Sequence, residues 1–349
     1  MKSSYSTEDV QLLLKDITGQ VTPLPTSERE RLIQSGHHYC EMLPIEYVPT
    51  KEYMNIYQES LENYAKATAN AIGCLSDKII KKRGSNIVLV SLARAGIPIG
   101  ILIKRYLKFK FKLNVPHYSI SIIRGRGIDD NAMKYLLNKY APQQLLFVDG
   151  WIGKGAIFHE LKKAIQVYNQ VSSEIAVVAD PANVTELCGT HEDILIASSC
   201  LNCTVSGLIS RTFLRDDIIK AYDFHGAVYY KELENADLSY SFINEIEKYF
   251  SLVNVESTVC KNGYGIDEVK ALARQYHVTD IHLIKPGIGE TTRVLLRRVP
   301  KMVLINEKYK NSKELSPVVR LAEEKNVLIK YCKLNHYKCC GIIKNVIDV

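Results

Sequence analysis

The stretch LLFVDGWIGKGAI, residues 145–157, constrains the fold more than any other. Leu145 to Val148 suit a buried strand; Asp149, Gly150, Gly153, Lys154 and Gly155 lie in the bend that follows, and a helical pattern then begins. A strand that turns through glycines into a helix leaves backbone N–H groups free at the bend, where the helix dipole adds positive potential. The chain is therefore expected to be α/β, with an anion site at the end of a strand. Two common phosphate loops are excluded. A Walker A loop needs a Gly-Lys pair followed by Ser or Thr, whereas Lys154 precedes Gly155, and the G-x-G-x-x-G spacing of a dinucleotide fold is missing here too.

The flanking segments extend the alternation. SNIVLVSLARAGIPIGILIKRYL reads as strand, loop and helix, VPHYSISIIRGRGID as a strand with a basic, glycine-rich exit, FHELKKAIQVYNQ as a helix and EIAVVADPA as a strand. That order predicts a parallel sheet with crossover helices, and ligands in such sheets sit beyond the carboxyl ends of the strands. Four loops, 93–98, 124–129, 149–157 and 180–182, are expected to converge there. Residues 1–80 read as mostly helical. Between 51 and 83, Tyr53, Ile56, Tyr57, Leu61, Tyr64, Ala65, Thr68, Ile72 and Leu75 recur at the spacing of one buried helix face.

Beyond about residue 250 a second alternation of helices and strands begins, enough for a small α/β domain, so the chain divides into 1–251 and 252–349. Charge divides the same way. Residues 251–349 carry 17 Lys and Arg against 10 Asp and Glu, while residues 1–250 carry 28 of each, so the whole net charge of +7 lies in the second part. Such a bias fits either a solvated basic surface or a polyanion partner.

Hydrophobic residues at 46% and charged residues at 24% mark a globular chain rather than a disordered one. No window reaches the ~18 apolar residues of a membrane span, and the N-terminal stretch has no signal-type apolar core; a cytoplasmic protein without membrane contact is expected. The nine cysteines read as reduced thiols. Cys200-x-x-Cys203 and Cys339-Cys340 have no second pair at zinc-finger spacing, so no structural metal is assigned.

The bend at 145–157 resembles the 5-phosphoribosyl 1-diphosphate signature of type I phosphoribosyltransferases. The apolar strand and Asp149 match it. Gly150 stands where that family commonly has a second acid, and Gly153 and Lys154 where it commonly has hydroxyl residues. The resemblance implies that Asp149 lies near the ribose hydroxyls, that the backbone of Gly153, Lys154, Gly155 and Ala156 cradles the 5-phosphate, and that Lys154 adds charge. LARAGIPIG resembles the pyrophosphate loop, with Arg94, Ala95 and Gly96 facing the diphosphate, and IIRGRGID falls where the family has its flexible loop, with Arg124 and Arg126 closing over the leaving group. Mg²⁺ bridging the diphosphate is implied as cofactor.

SGHHYCEMLP, VSLARAGIPIG, HYSISIIRGRGID, VDGWIGKGAI and LNCTVSGLISRT together resemble the phosphoribosyltransferase-like proteins encoded with bacterial tellurium-resistance and stress-response gene clusters, which also carry the label cysteine protease StiP and often end in a PELOTA RNA-binding domain. That resemblance implies the formation or attachment of a nucleoside-like metabolite, with base, amine and RNA all open as acceptor and a homodimer left open. PGIGETTRVLLRRVPKMVLI resembles the RNA-contacting segment of the L7Ae and PELOTA group: Gly287, Glu290, Thr291, Thr292 and Arg293 match, and Gly289 replaces an Asn. A helix N-terminus there would take an RNA phosphate and Glu290 a guanine edge. Leu295, Leu296 and Val299 are expected in the core, with Arg297, Arg298 and Lys301 forming either the basic face or plain solvated charge.

Two rivals stand beside the transferase. A cysteine hydrolase would use Cys200 as nucleophile with His191 or His225 as base. A non-catalytic regulator would keep only RNA binding. His37, His38 and Glu41 would form either part of an acceptor pocket or a junction whose Tyr39 and Met42 pack inward.

Overall fold

The computed structural model describes residues 1–255 and 262–344. Six parallel strands form the main sheet: β1 (Gln11–Leu12), β2 (Val88–Leu92), β3 (His117–Ile120), β4 (Leu145–Trp151), β5 (Ile175–Ala179) and β6 (Cys188–Thr190), in the order β1–β3–β2–β4–β5–β6. Every residue of β2, β3 and β5 is buried, as continuous apolar runs require when helices cover both faces. The chain runs outward from β2 to β3 and then returns to the other side of β2 as β4. Order reverses between β2 and β4, and at that point the two following loops part and leave a crevice at the carboxyl ends.

One long helix, α1 (Lys51–Arg83), carries the predicted buried face: Ile56, Tyr57, Leu61, Tyr64, Ala65, Thr68, Ile72 and Leu75 are all inside. Thr50 Oγ1 accepts the Tyr53 N–H at its start, Lys81, Lys82 and Arg83 complement the dipole at its end, and Gly84 at φ +70° ends it. Helix Thr26–Gln34 precedes it, so helices do take most of the first 83 residues. The first twenty residues depart from that pattern, since Gln11–Leu12 pairs with β3 and Lys15–Asp16 with Gly226–Ala227.

Helix α1 presses on β6 so closely that a Cβ at Gly189 would overlap the Ala71 carbonyl and lie 2.8 Å from its Cα. Both neighbours are backbone and cannot turn aside. Gly189→Ala is expected to cost about 2–3 kcal/mol of stability, read as a lower urea midpoint at unchanged slope.

The second sheet holds β7 (Ile284–Pro286), β8 (Pro300–Asn306), β9 (Leu328–Cys332) and β10 (Cys339–Ile343), ordered β7–β10–β8–β9. Helices Gly265–Gln275, Ile288–Arg297 and Ser316–Glu324 alternate with the first three strands as the sequence predicts. The fourth, β10, is the unanticipated one: it lies inside the sheet, antiparallel to β7 and β8, and buries Cys339 and Cys340. Leu295 and Leu296 are core, but Val299 is 58% exposed, because the helix ends at Arg297 and its periodicity does not reach residue 299.

The domains share a core. Tyr57, Leu61 and Tyr64 of α1 belong to the same apolar cluster as Leu295, Val318 and Leu321, and the Tyr64 hydroxyl donates to Glu314 O at 3.1 Å. Among the described residues no helix is long and apolar enough to cross a membrane.

Candidate functional site at the domain interface

The bend lies at the order reversal of the sheet. Gly155, at φ +88°, caps the helix Ala156–Ile165, and the first-turn amides of that helix have no partner within it. Gly96 packs against the same bend: a Cβ there would overlap Val148 O and lie 3.2 Å from Asp149 Cα. Asp149 Oδ1 accepts the Gly150 N–H at 2.8 Å, and Oδ2 accepts no hydrogen bond from the described residues. Its carboxyl is enclosed by protein although the residue keeps a partial solvent edge. Burial pushes the pKa up to about 7, against the Gly150 N–H and the Arg293 charge, which pull it down.

Around this bend the basic residues are engaged otherwise than expected. Arg94, which follows a cis peptide, directs its guanidinium to Glu46 (3.2 Å), Asn202 Oδ1 (3.1 Å) and Ile209 O (2.9 Å), so only its backbone is left for a diphosphate. Lys154 donates to the carbonyls of Ile281 (2.6 Å) and Ile284 (2.9 Å) in the second domain; burial, then the Lys285 charge, brings its pKa down to about 8. The segment 122–128 is a small hairpin, Ile122–Ile123 against Gly127–Ile128, rather than an open loop. Glu160 holds it by accepting Gly125 N (2.8 Å) and Gly127 N (3.1 Å). Arg126 pairs with Glu41 at 2.9 Å, while Arg124 lies over the Tyr39 ring, 5.8 Å from its centroid.

The segment expected to meet RNA faces this bend instead of open solvent. Glu290 and Arg293 pair at 3.1 Å, the Arg293 guanidinium lies 5.8 Å from the centre of the Trp151 ring, and Tyr337 donates to Gly153 O at 2.7 Å. Thr291 is fully buried, its hydroxyl 3.4 Å from Lys285 O. Gly287, at φ +93°, opens the helix Ile288–Arg297, whose N-terminus already holds an anion: Asp193 of the first domain accepts Ile288 N and Lys338 N, both at 2.9 Å. A buried carboxylate thus occupies the position assigned by sequence to an RNA phosphate. Trp151, Gly153, Asp193, Pro286, Gly287 and Glu290 help to line a small cavity between them, whose volume of about 10 Å³ has room for roughly one water.

Cys200, expected as a nucleophile, is fully buried with its Sγ 3.8 Å from Ser60 Oγ. His191 lies 3.3 Å from Cys188 Sγ and 2.9 Å from Asp180 O, and His225 lies 2.8 Å from Ser121 Oγ, so each proposed base is engaged at another group. A closer thiol and imidazole lie in SGHHYCEMLP, where His38 Nδ1 is 2.9 Å from Cys40 Sγ and Nε2 is 3.0 Å from Arg124 O. Met42 packs inward as the junction reading expects. Cys40 is itself buried, and burial pushes its pKa up to about 11. All eight described cysteines are free thiols; Cys260 lies outside the described residues. Among the described residues no three His, Cys, Asp or Glu side chains are placed to hold a metal ion.

Sequence reasoning passed over Trp151, Asp193, His282 and Lys285. No local signal marks them, because Trp151, Asp193 and His282 meet their neighbours Arg293, Ile288 and Arg124 only when the two parts of the chain come together, and Lys285 is brought beside them the same way.

An open parallel sheet with a glycine-rich bend at its order reversal, against which the segment with the second sheet packs, defines an α/β protein. Residues 3–247 match the family described as tellurite-like stress resistance cysteine protease StiP, and residues 263–345 match the PELOTA RNA binding domain. The chain belongs to the StiP family. It is 33% identical over 324 residues to the cysteine protease StiP of Acinetobacter baylyi, covering 87% of this chain and 84% of that one. Solved structures with partial similarity include a hypoxanthine-guanine phosphoribosyltransferase of Bacillus anthracis (17% identity, 40% of this chain and 73% of that chain, TM-score 0.24) and a xanthine-guanine-hypoxanthine phosphoribosyltransferase of Helicobacter pylori (15%, 39% and 78%, TM-score 0.23).

Proposed function

We propose that this stress-resistance family member is a phosphoribosyltransferase-type enzyme whose second domain binds RNA. The observation that carries the reading is Asp149, with one open carboxylate oxygen, beside a helix N-terminus that has no side-chain cap, at the order reversal of a parallel sheet. In 5-phosphoribosyl 1-diphosphate the bond from the anomeric carbon to the diphosphate breaks as the acceptor bonds to that carbon, and the electron pair leaves with the diphosphate. Negative charge therefore grows where the amides of Arg94, Ala95 and Gly96 and the Arg124 guanidinium are available, and positive charge grows on the ribose beside Asp149. The amides of Gly153 to Ala156 suit the 5-phosphate.

The open Asp149 oxygen also fits a hard cation that takes one carboxylate and completes its shell from substrate phosphates. Mg²⁺ held in that way would neutralise charge on the leaving group. Tyr337 holds Gly153 O and Lys154 holds the carbonyls of Ile281 and Ile284, so a donor phosphate entering this turn would have to displace those contacts.

A second reading is favoured by one contact, His38 Nδ1 to Cys40 Sγ at 2.9 Å, and by the protease name that the family carries. It would make Cys40 a nucleophile with His38 as base. Burial and the raised thiol pKa weigh against it.

Calorimetric titration with 5-phosphoribosyl 1-diphosphate and Mg²⁺ separates the two. Native protein and Cys40→Ala are expected to bind alike, and Asp149→Asn at least about 100-fold more weakly, a loss of roughly 2.7 kcal/mol. Binding by Asp149→Asn at native strength would remove the transferase reading. Alkylation of Cys40 by iodoacetamide, together with peptidase activity lost in Cys40→Ala, would install the hydrolase.

A further inference from the structure

Along the exposed edge where the Arg124 hairpin meets β7, basic side chains from both domains come together. Arg124 Nη1 lies 3.5 Å from His282 Nδ1. Lys154 holds the carbonyls on either side of His282, at Ile281 and Ile284, and Lys285 follows directly in the chain. Arg293 and Arg298 come from the helix Ile288–Arg297 and its C-cap. The acids nearby are already engaged: Glu290 is paired with Arg293, Asp280 accepts the His282 N–H at 2.8 Å, Glu160 accepts the Gly125 and Gly127 N–H groups, and Glu41 pairs with Arg126. The Lys285 ammonium makes no hydrogen bond or ion pair with a described residue.

Like charges crowded in this way repel. Burial holds His282 and Lys285 below their ordinary pKa ranges; Arg124 and Lys154 add to it at His282 against Asp280, and at Lys285 Glu290 opposes it first while Arg124, Arg293 and Arg298 add to it. An incoming polyanion would relieve that repulsion, and Arg124 and His282 are exposed to receive one. The helix N-terminus expected to take an RNA phosphate is filled by Asp193, so phosphate binding must fall to the groups beside it.

We propose that an RNA strand lies along this seam, its phosphates bridging Arg124 of the first domain and Lys285 and Arg298 of the second. The proposal rests on the reading of the second domain as RNA-binding and extends the contact surface onto the first. Charge complementarity selects the partner: the excess basic charge of the chain lies in the second part, and Arg124 and His282 reach the surface beside the partly buried Lys285.

Fluorescence anisotropy of a labelled single-stranded RNA oligonucleotide with the full chain, over a series of salt concentrations, tests this. Arg124→Ala, Lys285→Ala and Arg298→Ala are each expected to weaken binding about 3- to 10-fold and to reduce the slope of log affinity against log salt by about 0.7. Lys325→Ala, an exposed change elsewhere in the second domain, should leave both unchanged. Circular dichroism melts establish that each variant is folded. If Arg124→Ala binds as the native chain does while Lys285→Ala is weakened, RNA is confined to the second domain and the seam is overturned with RNA binding intact. Failure of the native chain to bind RNA overturns both. Loss of inorganic diphosphate binding in the variants, with RNA binding unchanged, would make the seam a small-anion site and end the proposal.

Discussion

Replacing Asp193 with alanine is expected to destabilise the folded chain by about 2–5 kcal/mol, one of the two largest effects foreseen for a single substitution. Asp193 is 4% exposed, and its two oxygens accept Ile288 N and Lys338 N at 2.9 Å each. Alanine would leave both N–H groups buried without those acceptors, and each such loss costs roughly 1–3 kcal/mol. The helix Ile288–Arg297 would also lose the negative charge at its N-terminus. Asn keeps one acceptor oxygen, so Asp193→Asn should fall between native and alanine. Urea unfolding gives the order of midpoints. Because the same bonds join the domains across the bend, Asp193→Ala should also bind the phosphoribosyl donor more readily than the native chain once the cost to folding is allowed for. A native midpoint for the alanine variant would show that Asp193 does not hold the interface.

The helix face of α1 and the order of elements around β2 to β5 were legible because burial imposes a period on local sequence, and that period needs no knowledge of distant residues. The bend that carries Asp149 and Gly155 was legible for a similar reason, since a strand that turns through glycine into a helix shows itself within a dozen residues. The partners of those groups were not legible. Lys154 reads as a free cation beside an anion site, yet it donates to carbonyls more than 120 positions away. The segment around Glu290 reads as an open RNA surface, yet it is paired with the bend through Arg293, Trp151, Gly153 and Tyr337. Arg94 reads as a diphosphate ligand, but Glu46 neutralises it from a segment with no motif of its own. Cys200 has the sequence context of a nucleophile, and only packing against α1 reveals that it is enclosed. Local pattern reports which groups a fold can offer; the closing of one domain on another decides which of them remain available.

Asp149→Asn is expected to make the metal-free protein more stable at neutral pH while removing donor binding. In the fold the carboxyl titrates near 7 because burial disfavours its charge, whereas in the unfolded chain it titrates near its ordinary value of 3.8. Between those two values the native state binds more protons than the unfolded state, so this group's contribution to stability falls as pH rises. The contribution is fully present below 3.8, declines through the interval and is lost above about 7. A shift of that size corresponds to about 2–4 kcal/mol, the lower figure allowing for the solvent edge that Asp149 retains. Asn carries no charge at any of these pH values. The two proteins should therefore unfold alike in acid and diverge steadily toward pH 8, with the variant the more stable. Donor binding should run the opposite way in the native chain, strengthening as Asp149 ionises through about 7, and should be weak throughout in the variant. Thermal or urea unfolding from acid to pH 8, with titration of donor at the same pH values, reads both trends. A variant that is less stable than the native chain at pH 8 would mean that the Asp149 carboxylate is satisfied by the fold, and the case for a ligand at the bend would fail with it.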